Sequence, residues 1–289
     1  MLILGINALN HDSSLAVLED GKLVYHEMTE DPKKALMFGR PDAIAYYERP
    51  WLKKTRHLYA GQYKHAFTLS DLPSNHIRNI GLGDVPVHYV EHHLSHAASG
   101  AFQSEYDSCV IIVADAIGEW DTTSIWTYDG RNYKKVYSKK YPYSLGLFYS
   151  AFTKLIGMEP LRDENKFMQI SVDGNPKVLY NRAYAELKKN LHRGVQGWGE
   201  VEDPCDVAAA VQLVFEDELR ILLQIARVYG DKLVFTGGCA YNRISHSVIE
   251  DYFDDFCVPR FVGDNGSSIG AAVAIENKFK ILDKKFSLS

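Results

Sequence analysis

Short apolar runs separated by turn residues dominate the first thirty positions of the chain. Leu2–Ala8, Ser14–Leu18 and Leu23–Met28 each predict a β-strand, and the Asp20-Gly21 pair predicts a tight turn between the last two. The chain is therefore expected to begin with a meander of three strands. Residues 31–82 show no comparable pattern and are expected to be mostly helix and loop.

The rest of the chain alternates between β-branched apolar runs and segments with helical spacing. The expected elements up to residue 156 are a strand at Val87–Val90, a helix from about His93 to Gln103, a strand at Cys109–Ala114, a hairpin formed by Ser124–Tyr128 and Lys134–Ser138, and a helix at Leu145–Ile156. Those that follow are a long helix from about Cys205 to Val228, a strand at Leu233–Phe235, another helix after Gly237-Gly238, and a last helix from Ser267 to Phe279. Two strand-rich stretches, each followed by helices, predict an α/β protein with two related lobes around a cleft.

Composition and charge limit the kinds of ligand and the cellular compartment to be expected. A net charge of −5 over 289 residues gives no global polycation that would indicate nucleic-acid binding, although a local basic patch could still bind one. The four cysteines are far apart and form no CxxC pair, which argues against a cysteine-based zinc site and favours a reducing cytoplasm. Since the chain shows no secretory segment and no apolar run of spanning length, we expect a soluble cytoplasmic protein without a membrane partner.

The segment Glu91–His96 contains two histidines with chelating spacing. On a helix, His92 and His96 share one face and could bind one cation through their imidazole nitrogens, while His93 points elsewhere. Because no glutamate follows His92 directly, a metalloprotease site is excluded. A pair of hydrogen-bonded histidines at a strand–helix junction remains the alternative.

Other polar residues stand where strands end, and each has a purely structural alternative. Asp115 follows an apolar strand but could be a turn residue that caps the next backbone amides. Asp264 precedes a helix rich in small residues, but this segment could be only an N-cap loop in which Asn265 or Ser267 caps the helix. Gly237-Gly238 could let backbone N–H groups approach a phosphate, or form only a tight turn. Asp12 could face a cleft from the first hairpin, or form an Asx-turn.

Taken in order, these motifs resemble those of the NodU/CmcH family of O-carbamoyltransferases, whose catalytic domain is similar to the tRNA threonylcarbamoyladenosine transferases. The matching segments run from the start of the chain almost to its end. They are His11-Asp12-Ser13-Ser14, His92-x-x-x-His96, Asp115-Ala116-Ile117-Gly118-Glu119, Ser144 to Ser150, Glu164 to Met168, Gly237-Gly238 and Gly263-Asp264-Asn265-Gly266.

The resemblance implies an actin-like ATPase (ASKHA) fold, with lobes at about residues 1–140 and 141–289 of a single catalytic domain. It implies the following site residues. An iron-type divalent cation, with Fe²⁺ favoured, is held by His92, His96, Asp115 and Asp264; Asp12, with His11, is catalytic; Gly237, Gly238, Asn242, Lys166 and Gly146 contact ATP or carbamoyladenylate.

The chain also departs from the family pattern. Ala116 replaces a glycine, Asn165 stands where a tyrosine is usual, and Lys33 or Lys34 would have to replace an Arg/Lys-rich stretch. A C-terminal YrdC-type domain, which makes carbamoyladenylate from carbamoyl phosphate and ATP, is absent from these residues. Either a separate adenylate-forming protein supplies that compound, or this domain makes it unaided, or activity is lost.

The expected activity is metal-dependent transfer of a carbamoyl group to an acceptor hydroxyl. Residues 46–78 interleave aromatic and basic side chains, which suits a hydroxymethylated pyrimidine in a nucleotide or DNA as acceptor, although a solvated helical face explains the pattern as well. A small sugar or antibiotic-type acceptor is the second possibility. The remaining alternatives are a threonylcarbamoyl transferase for tRNA, a non-enzymatic nucleotide-binding regulator and a kinase of the same fold.

Overall fold

The computed structural model describes residues 1–10, 12–70, 72–201 and 203–287, and side chains as far as Lys280. Within these ranges the strands form two five-stranded sheets. The first sheet has the spatial order β3 (Lys22–Glu27), β2 (Ser14–Glu19), β1 (Leu2–Asn7), β4 (Ala43–Tyr46) and β5 (Val87–Tyr89). The second has the order β8 (Tyr133–Lys140), β7 (Asp121–Tyr128), β6 (Cys109–Ala114), β9 (Lys232–Thr236) and β10 (Asp255–Cys257).

Both sheets have the same topology. In each, three consecutive strands form an antiparallel meander, and the first strand of the meander also pairs in parallel with the next strand of the sheet. A further parallel strand, β5 or β10, closes the opposite edge. The predicted α/β class is therefore confirmed, and the two strand-rich stretches of the sequence correspond to two sheets built on one plan.

The helices connect and cover these sheets. They are α1 (Pro50–Tyr59), α2 (Tyr63–Phe67), α3 (Pro73–Asn79), α4 (His92–Ser104), α5 (Leu145–Leu155), α6 (Glu164–Ile170), α7 (Pro176–Leu187), α8 (Pro204–Arg227), α9 (His246–Glu250) and α10 (Ser267–Ser287). None of the helices in the described ranges is both long and apolar enough to cross a bilayer.

Helices α4 and α10 lie between the two sheets. Helix α10 contacts β1, β2 and β4, whereas α4 contacts β6 and β9. Alternate residues of β6 face opposite sides of the second sheet: Ile111 and Val113 pack with Ala97 of α4, and Val110 and Ile112 pack in the core formed with α5 and α8. A strand covered on both faces must be apolar throughout, which explains the uninterrupted run at β6.

Helix α10 approaches its neighbours closely because glycines stand at the contacts. A Cβ added at Gly270 would lie 1.7 Å from the carbonyl oxygen of Ser95 in α4. A Cβ added at Gly5 of β1 would lie 1.9 Å from the carbonyl oxygen of Ser268. These contacts seat the beginning of α10 beside the beginning of α4.

Two features differ from the sequence-based expectations. Strand β4 lies in a stretch expected to be helix and loop, because four residues between turns are too few to show an alternating pattern. A 3₁₀ turn at Gly238–Tyr241 directly follows Gly237, and the helix expected there begins only at His246. The lobe boundary at about residue 140 stays a prediction; in the second sheet β6 pairs with β9, and β9 pairs with β10.

Candidate metal centre and cleft

Two histidines at the beginning of α4 point to the same place. Helix α4 starts at His92, so His92 and His96 are one turn apart on one face, and their Nε2 atoms are 3.1 Å apart. Both side chains are buried. His93 turns away from them, as the spacing predicts, and its Nδ1 lies 2.7 Å from the hydroxyl of Ser124.

Two carboxylates complete this cluster. Asp115 directly follows β6, and Asp264 begins the 3₁₀ turn that leads into α10. The Nε2 of His92 lies 3.1 Å from Asp115 Oδ2 and 3.3 Å from Asp264 Oδ1. His96 Nε2 lies 3.2 Å from Asp264 Oδ1. One ligand atom from each of the four residues lies within 4.8 Å of all the others.

The opposite charges in this cluster shift each other's pKa values towards the ionised forms. Burial lowers the pKa of His96, but Asp115 and Asp264 outweigh burial and raise that pKa to about 9. Burial also lowers the pKa of His92, and Asp264 and Asp115 again give a net rise. Burial raises the pKa of Asp115, yet the two imidazoles hold it well below its usual range. Two ionised carboxylates therefore face two imidazoles, and a bound cation would replace the imidazole protons.

The donor set fits a divalent transition-metal ion. Asp264 Oδ1 is buried and has no hydrogen-bond partner among the described residues, although both imidazole Nε2 atoms lie within 3.3 Å of it. Atoms that converge without hydrogen-bond geometry are typical of ligands around a cation. Imidazole nitrogen suits iron, zinc, copper and nickel, and carboxylate oxygen also suits manganese. Two nitrogens and two oxygens therefore fit Fe²⁺ without selecting it over the other ions.

A cavity of about 280 Å³ opens beside the cluster, close to the lower end of the range for small-molecule pockets. Asp115 and Asp264 belong to both the cluster and the cavity wall. The structure brings six of the predicted site residues to this cavity. They are Asp12, Asp115, Gly146, Gly238, Asn242 and Asp264.

Glycines allow two walls of the cavity to approach each other. A Cβ at Gly146, the second residue of α5, would lie 2.6 Å from the backbone of Ala116. Gly237 has a φ of 91°, and its Cβ would lie 2.2 Å from the carbonyl oxygen of Ala114. Gly237 itself does not line the cavity, so its contribution is to bring Gly238 there.

The remaining predicted residues are found in different surroundings. The β1–β2 turn places Asp12 at the cavity, and Asn7 holds this turn by donating to the backbone oxygens of Asp12 (2.8 Å) and Asp264 (2.6 Å). Lys166 is exposed, pairs with Asp163 at 2.8 Å and does not line the cavity, so its contact with nucleotide stays a prediction. His11 lies outside the described residues.

Several cavity residues were not predicted. Tyr149, Met168 and Phe215 form an apolar wall. Glu164 accepts hydrogen bonds from the Ser150 hydroxyl and the Leu161 amide, both at 2.7 Å. Tyr149, Ser150, Glu164 and Met168 stand in segments that match the family motifs, so the motifs pointed to the region but not to these side chains.

Asn242 belongs to a buried hydrogen-bond network behind the cavity. Its Nδ2 donates to Gln212 Oε1 at 2.8 Å, and the Tyr149 hydroxyl donates to the same oxygen at 2.9 Å. Gln212 returns a hydrogen bond of 3.2 Å to Asn242 Oδ1. The network therefore fixes which side of the Asn242 amide faces the cavity.

Comparison with known proteins identifies sequence relatives. A family model described as "Carbamoyltransferase N-terminus" matches residues 53–197 and 187–273. An uncharacterised Synechocystis protein, sll1178, is 26% identical over 96% of this chain and 57% of its own length. The nodulation protein NolNO of Sinorhizobium fredii is 23% identical over 66% of this chain and 32% of its own length. The chain thus spans little more than half the length of sll1178 and about a third of the length of NolNO.

Solved structures share the fold. HypF of T. kodakarensis covers 96% of this chain, with 48% of HypF matched, at a TM-score of 0.55 and 15% identity. Full-length HypF in a phosphate- and nucleotide-bound form gives 0.58 at 14% identity, over 96% of this chain and 46% of HypF. The activator of 2-hydroxyisocaproyl-CoA dehydratase from Clostridium difficile, with bound ADPNP, gives 0.51 at 16% identity over 98% of both chains. At these identities the likeness concerns the fold alone.

Proposed function

Since the chain belongs to the carbamoyltransferase N-terminal family, we propose that it is a metal-dependent O-carbamoyltransferase that acts on an acceptor hydroxyl. One observation carries this proposal: His92, His96, Asp115 and Asp264 converge beside a cavity whose wall contains Asp115, Asp264 and Asp12. A cation site and a candidate general base at one cavity are the parts that acyl transfer to oxygen requires.

The fold supports a nucleotide in the cavity. We propose an actin-like ATPase fold; the topology shared by the two sheets and the likeness to structures with bound nucleotide support it. The nucleotide would enter between the apolar wall of Tyr149 and Phe215 and the Gly238 turn. Only a 3₁₀ turn follows Gly237, so this site offers backbone N–H groups without the dipole of a long helix.

The proposed reaction transfers the carbamoyl group of carbamoyladenylate, made from carbamoyl phosphate and ATP. The acceptor oxygen attacks the carbamoyl carbon, and its proton passes to the carboxylate of Asp12. A carbon–oxygen bond to the acceptor forms, the bond to the phosphate oxygen breaks, and AMP leaves with the bonding electron pair. A cation held by the cluster would supply Lewis-acid stabilisation of the developing negative charge.

This chain's own residues would orient the reactants. His92, His96, Asp115 and Asp264 would hold the cation, and Gly146 and Gly238 leave room for the nucleotide at the wall. Holding the reacting atoms close together converts a bimolecular step into an effectively unimolecular one. A positioned general base typically contributes about 10²–10⁴-fold to the rate.

The acceptor we favour is a hydroxymethylated pyrimidine in a nucleotide or DNA, with a sugar or antibiotic-type molecule as the alternative. Among the aromatic residues of the 46–78 stretch, Trp51, Tyr59, Tyr63 and Phe67 are exposed, whereas Tyr46 and its neighbour Tyr47 are buried. Exposed rings beside lysines suit base stacking and phosphate contact. If the acceptor is a nucleic acid, its binding weakens steeply as salt is added, whereas binding of a neutral sugar does not.

The test is a carbamoylation assay with mass-spectrometric detection. Metal-loaded protein is incubated with carbamoyl phosphate, ATP and a panel of hydroxymethylated pyrimidine nucleotides, oligonucleotides and sugars. We expect one acceptor to gain the mass of one carbamoyl group while AMP is released, and the Asp264→Ala and His96→Ala variants to lose metal and turnover together. Pre-formed carbamoyladenylate, added in a parallel reaction, reveals whether a separate adenylate-forming protein is needed.

The same assay separates the alternatives. Turnover that persists after the metal is removed would refute the metal-dependent mechanism. Nucleotide binding without carbamoylation of any acceptor, with either donor, would favour a non-enzymatic nucleotide-binding regulator.

A further inference from the structure

A network of five charged side chains adjoins the proposed metal centre. It joins two cations to three carboxylates, and none of the five is a proposed metal ligand. The members are Arg49, Glu91, Glu119, Asp121 and Lys135. They come from the start of α1, the start of α4, the β6–β7 loop, β7 and β8, so the network connects both sheets to the helix that carries the histidines.

Arg49 and Glu119 form the centre of this network. The Nε of Arg49 donates to both carboxylate oxygens of Glu119, at 3.0 and 2.9 Å, and a terminal guanidinium nitrogen donates to Oε2 as well. The backbone amide of Arg49 adds a hydrogen bond of 2.6 Å to Oε1. The Glu119 side chain is only 4% exposed, so nearly all of its charge is compensated by this one residue.

Glu91 connects the network to the histidines. It is the residue immediately before His92, and its side chain does not cap α4. Instead, Glu91 Oε2 lies 3.4 Å from the Arg49 guanidinium, and Oε1 pairs with Lys135. Lys135 also pairs with Asp121 at 2.5 Å. The residue that precedes the histidine helix is therefore held by two cations, of which Arg49 also binds Glu119 of the β6–β7 loop and Lys135 binds Asp121 at the start of β7.

The same loop carries Asp115 and packs on the histidines. The amide of Asp115 donates to the Thr122 carbonyl, and the amide of Gly118 donates to the Asp121 carbonyl, both at 2.9 Å. A Cβ at Gly118 would lie 2.7 Å from Cδ2 of His92. The loop thus lies in direct contact with the imidazole ring of His92. A movement of Glu119, near the end of the loop, would therefore shift the loop relative to α4.

We propose that Arg49 and Lys135 are positioning residues for the metal centre, because they fix the Asp115 loop against the start of α4 so that the ligand atoms converge. This inference rests on the proposed function, since it assumes that the cluster binds a cation. Three carboxylates and two cations leave this network one negative charge, beside the two of Asp115 and Asp264. Without Arg49, Glu119 would be a buried uncompensated carboxylate, and the loop would have to move to reach solvent.

The fork of the guanidinium is essential to this role. Lysine carries the same charge but cannot present two parallel N–H groups to one carboxylate while reaching a second. Arg49→Lys therefore preserves the net charge of the network and removes its geometry. Side chains that orient metal ligands typically contribute about 10–100-fold to metal affinity.

The experiment measures Co²⁺ binding, because the visible absorption of cobalt reports the arrangement of its ligands. Wild type, Arg49→Lys and Glu119→Gln are titrated with Co²⁺ under identical conditions. We expect each variant to bind about 10–100-fold more weakly than wild type and to show an altered absorption band. Arg40→Lys is the matched control, because Arg40 pairs with the exposed Asp84 on the surface, and the affinity and spectrum of this variant should equal those of wild type.

Each outcome decides the inference. Wild-type affinity and spectrum in both variants would overturn it, even if the variants unfold at a lower temperature, since the network would then be structural only. If Arg49→Lys does not fold, Glu119→Gln alone decides by the same criterion. A wild type that binds no Co²⁺ would instead overturn the proposed metal role, and this inference with it. Failure of the proposed function is therefore seen in the wild type, whereas failure of this inference alone is seen in the variants.

Discussion

A single added methyl group at Gly270 should disturb the metal centre from a distance. A Cβ there would lie 1.7 Å from the Ser95 carbonyl oxygen, whereas a close carbon–oxygen contact is about 3.3 Å, so α10 must move about 1.6 Å away from α4. In the sequence Ser95 lies between His92 and His96, the two histidines proposed as ligands, and Asp264 lies just before α10. Metal–ligand distances tolerate only about 0.2 Å, so the Gly270→Ala variant should lose metal affinity by at least about tenfold.

The effect of this substitution on stability can be estimated in the same way. Alanine is favoured over glycine in a helix by about 1 kcal/mol, and overpacking costs about 1–3 kcal/mol. Because the colliding group is backbone and cannot rotate away, we take the upper value and expect a net loss of about 2 kcal/mol.

Chemical denaturation measures the free energy of unfolding, and calorimetric titration measures the metal affinity. Gly83→Ala is the control, since its Cβ meets its nearest neighbour, a side-chain carbon of Arg78, at 3.3 Å. Wild-type stability together with wild-type metal affinity in Gly270→Ala would refute the argument.

Three further predictions concern the cavity and its charges. Asp12→Asn should lower turnover by about 10²–10⁴-fold while nucleotide affinity, measured by calorimetry, stays unchanged; equal losses in both would contradict a role as general base. The raised pKa of His96 means that its ion pairs stabilise the metal-free protein fully below pH 6.5 and are lost as the pH rises through about 9. Thermal unfolding with and without metal should therefore show a falling metal-free stability and a growing metal-induced gain between those values, and a flat profile would contradict it. Gln212→Leu removes the acceptor shared by Tyr149 and Asn242, so nucleotide affinity should fall about tenfold while Co²⁺ affinity is retained.

The long apolar segments of the sequence predict most of the fold. The strands β1, β6 and β9 and the helix α8 are apolar runs or helical stripes whose burial decides their conformation. Strand β4 escapes detection because four residues carry too little pattern, and its pairing with β1 and β5 stabilises it. The local sequence pattern therefore predicts an element whose own apolar face is buried. It does not predict an element whose conformation is decided by the strands that pair with it.

Prediction of the candidate site depended less on hydrophobic pattern than on the order of the motifs along the chain. Spacing alone predicted that His92 and His96 share a face, but their meeting with Asp115 and Asp264 depends on tertiary packing and followed only from the family resemblance. The Arg49 network gave no sequence signal, because single charged residues on separate elements show no periodicity. Charged partners distant in sequence become visible only when the packing is known.

The repeated sheet topology has a consequence for how the two sides of the site can move. Asp12 lies between the first and second strands of one sheet, and Asp115 lies between the corresponding strands of the other. The two carboxylates thus occupy equivalent places in the two sheets, one proposed for proton transfer and the other for a cation. Because each is fixed to its own sheet, a small rotation of one sheet against the other would alter the distance between the proposed base and the cation, and with it the size of acceptor that fits.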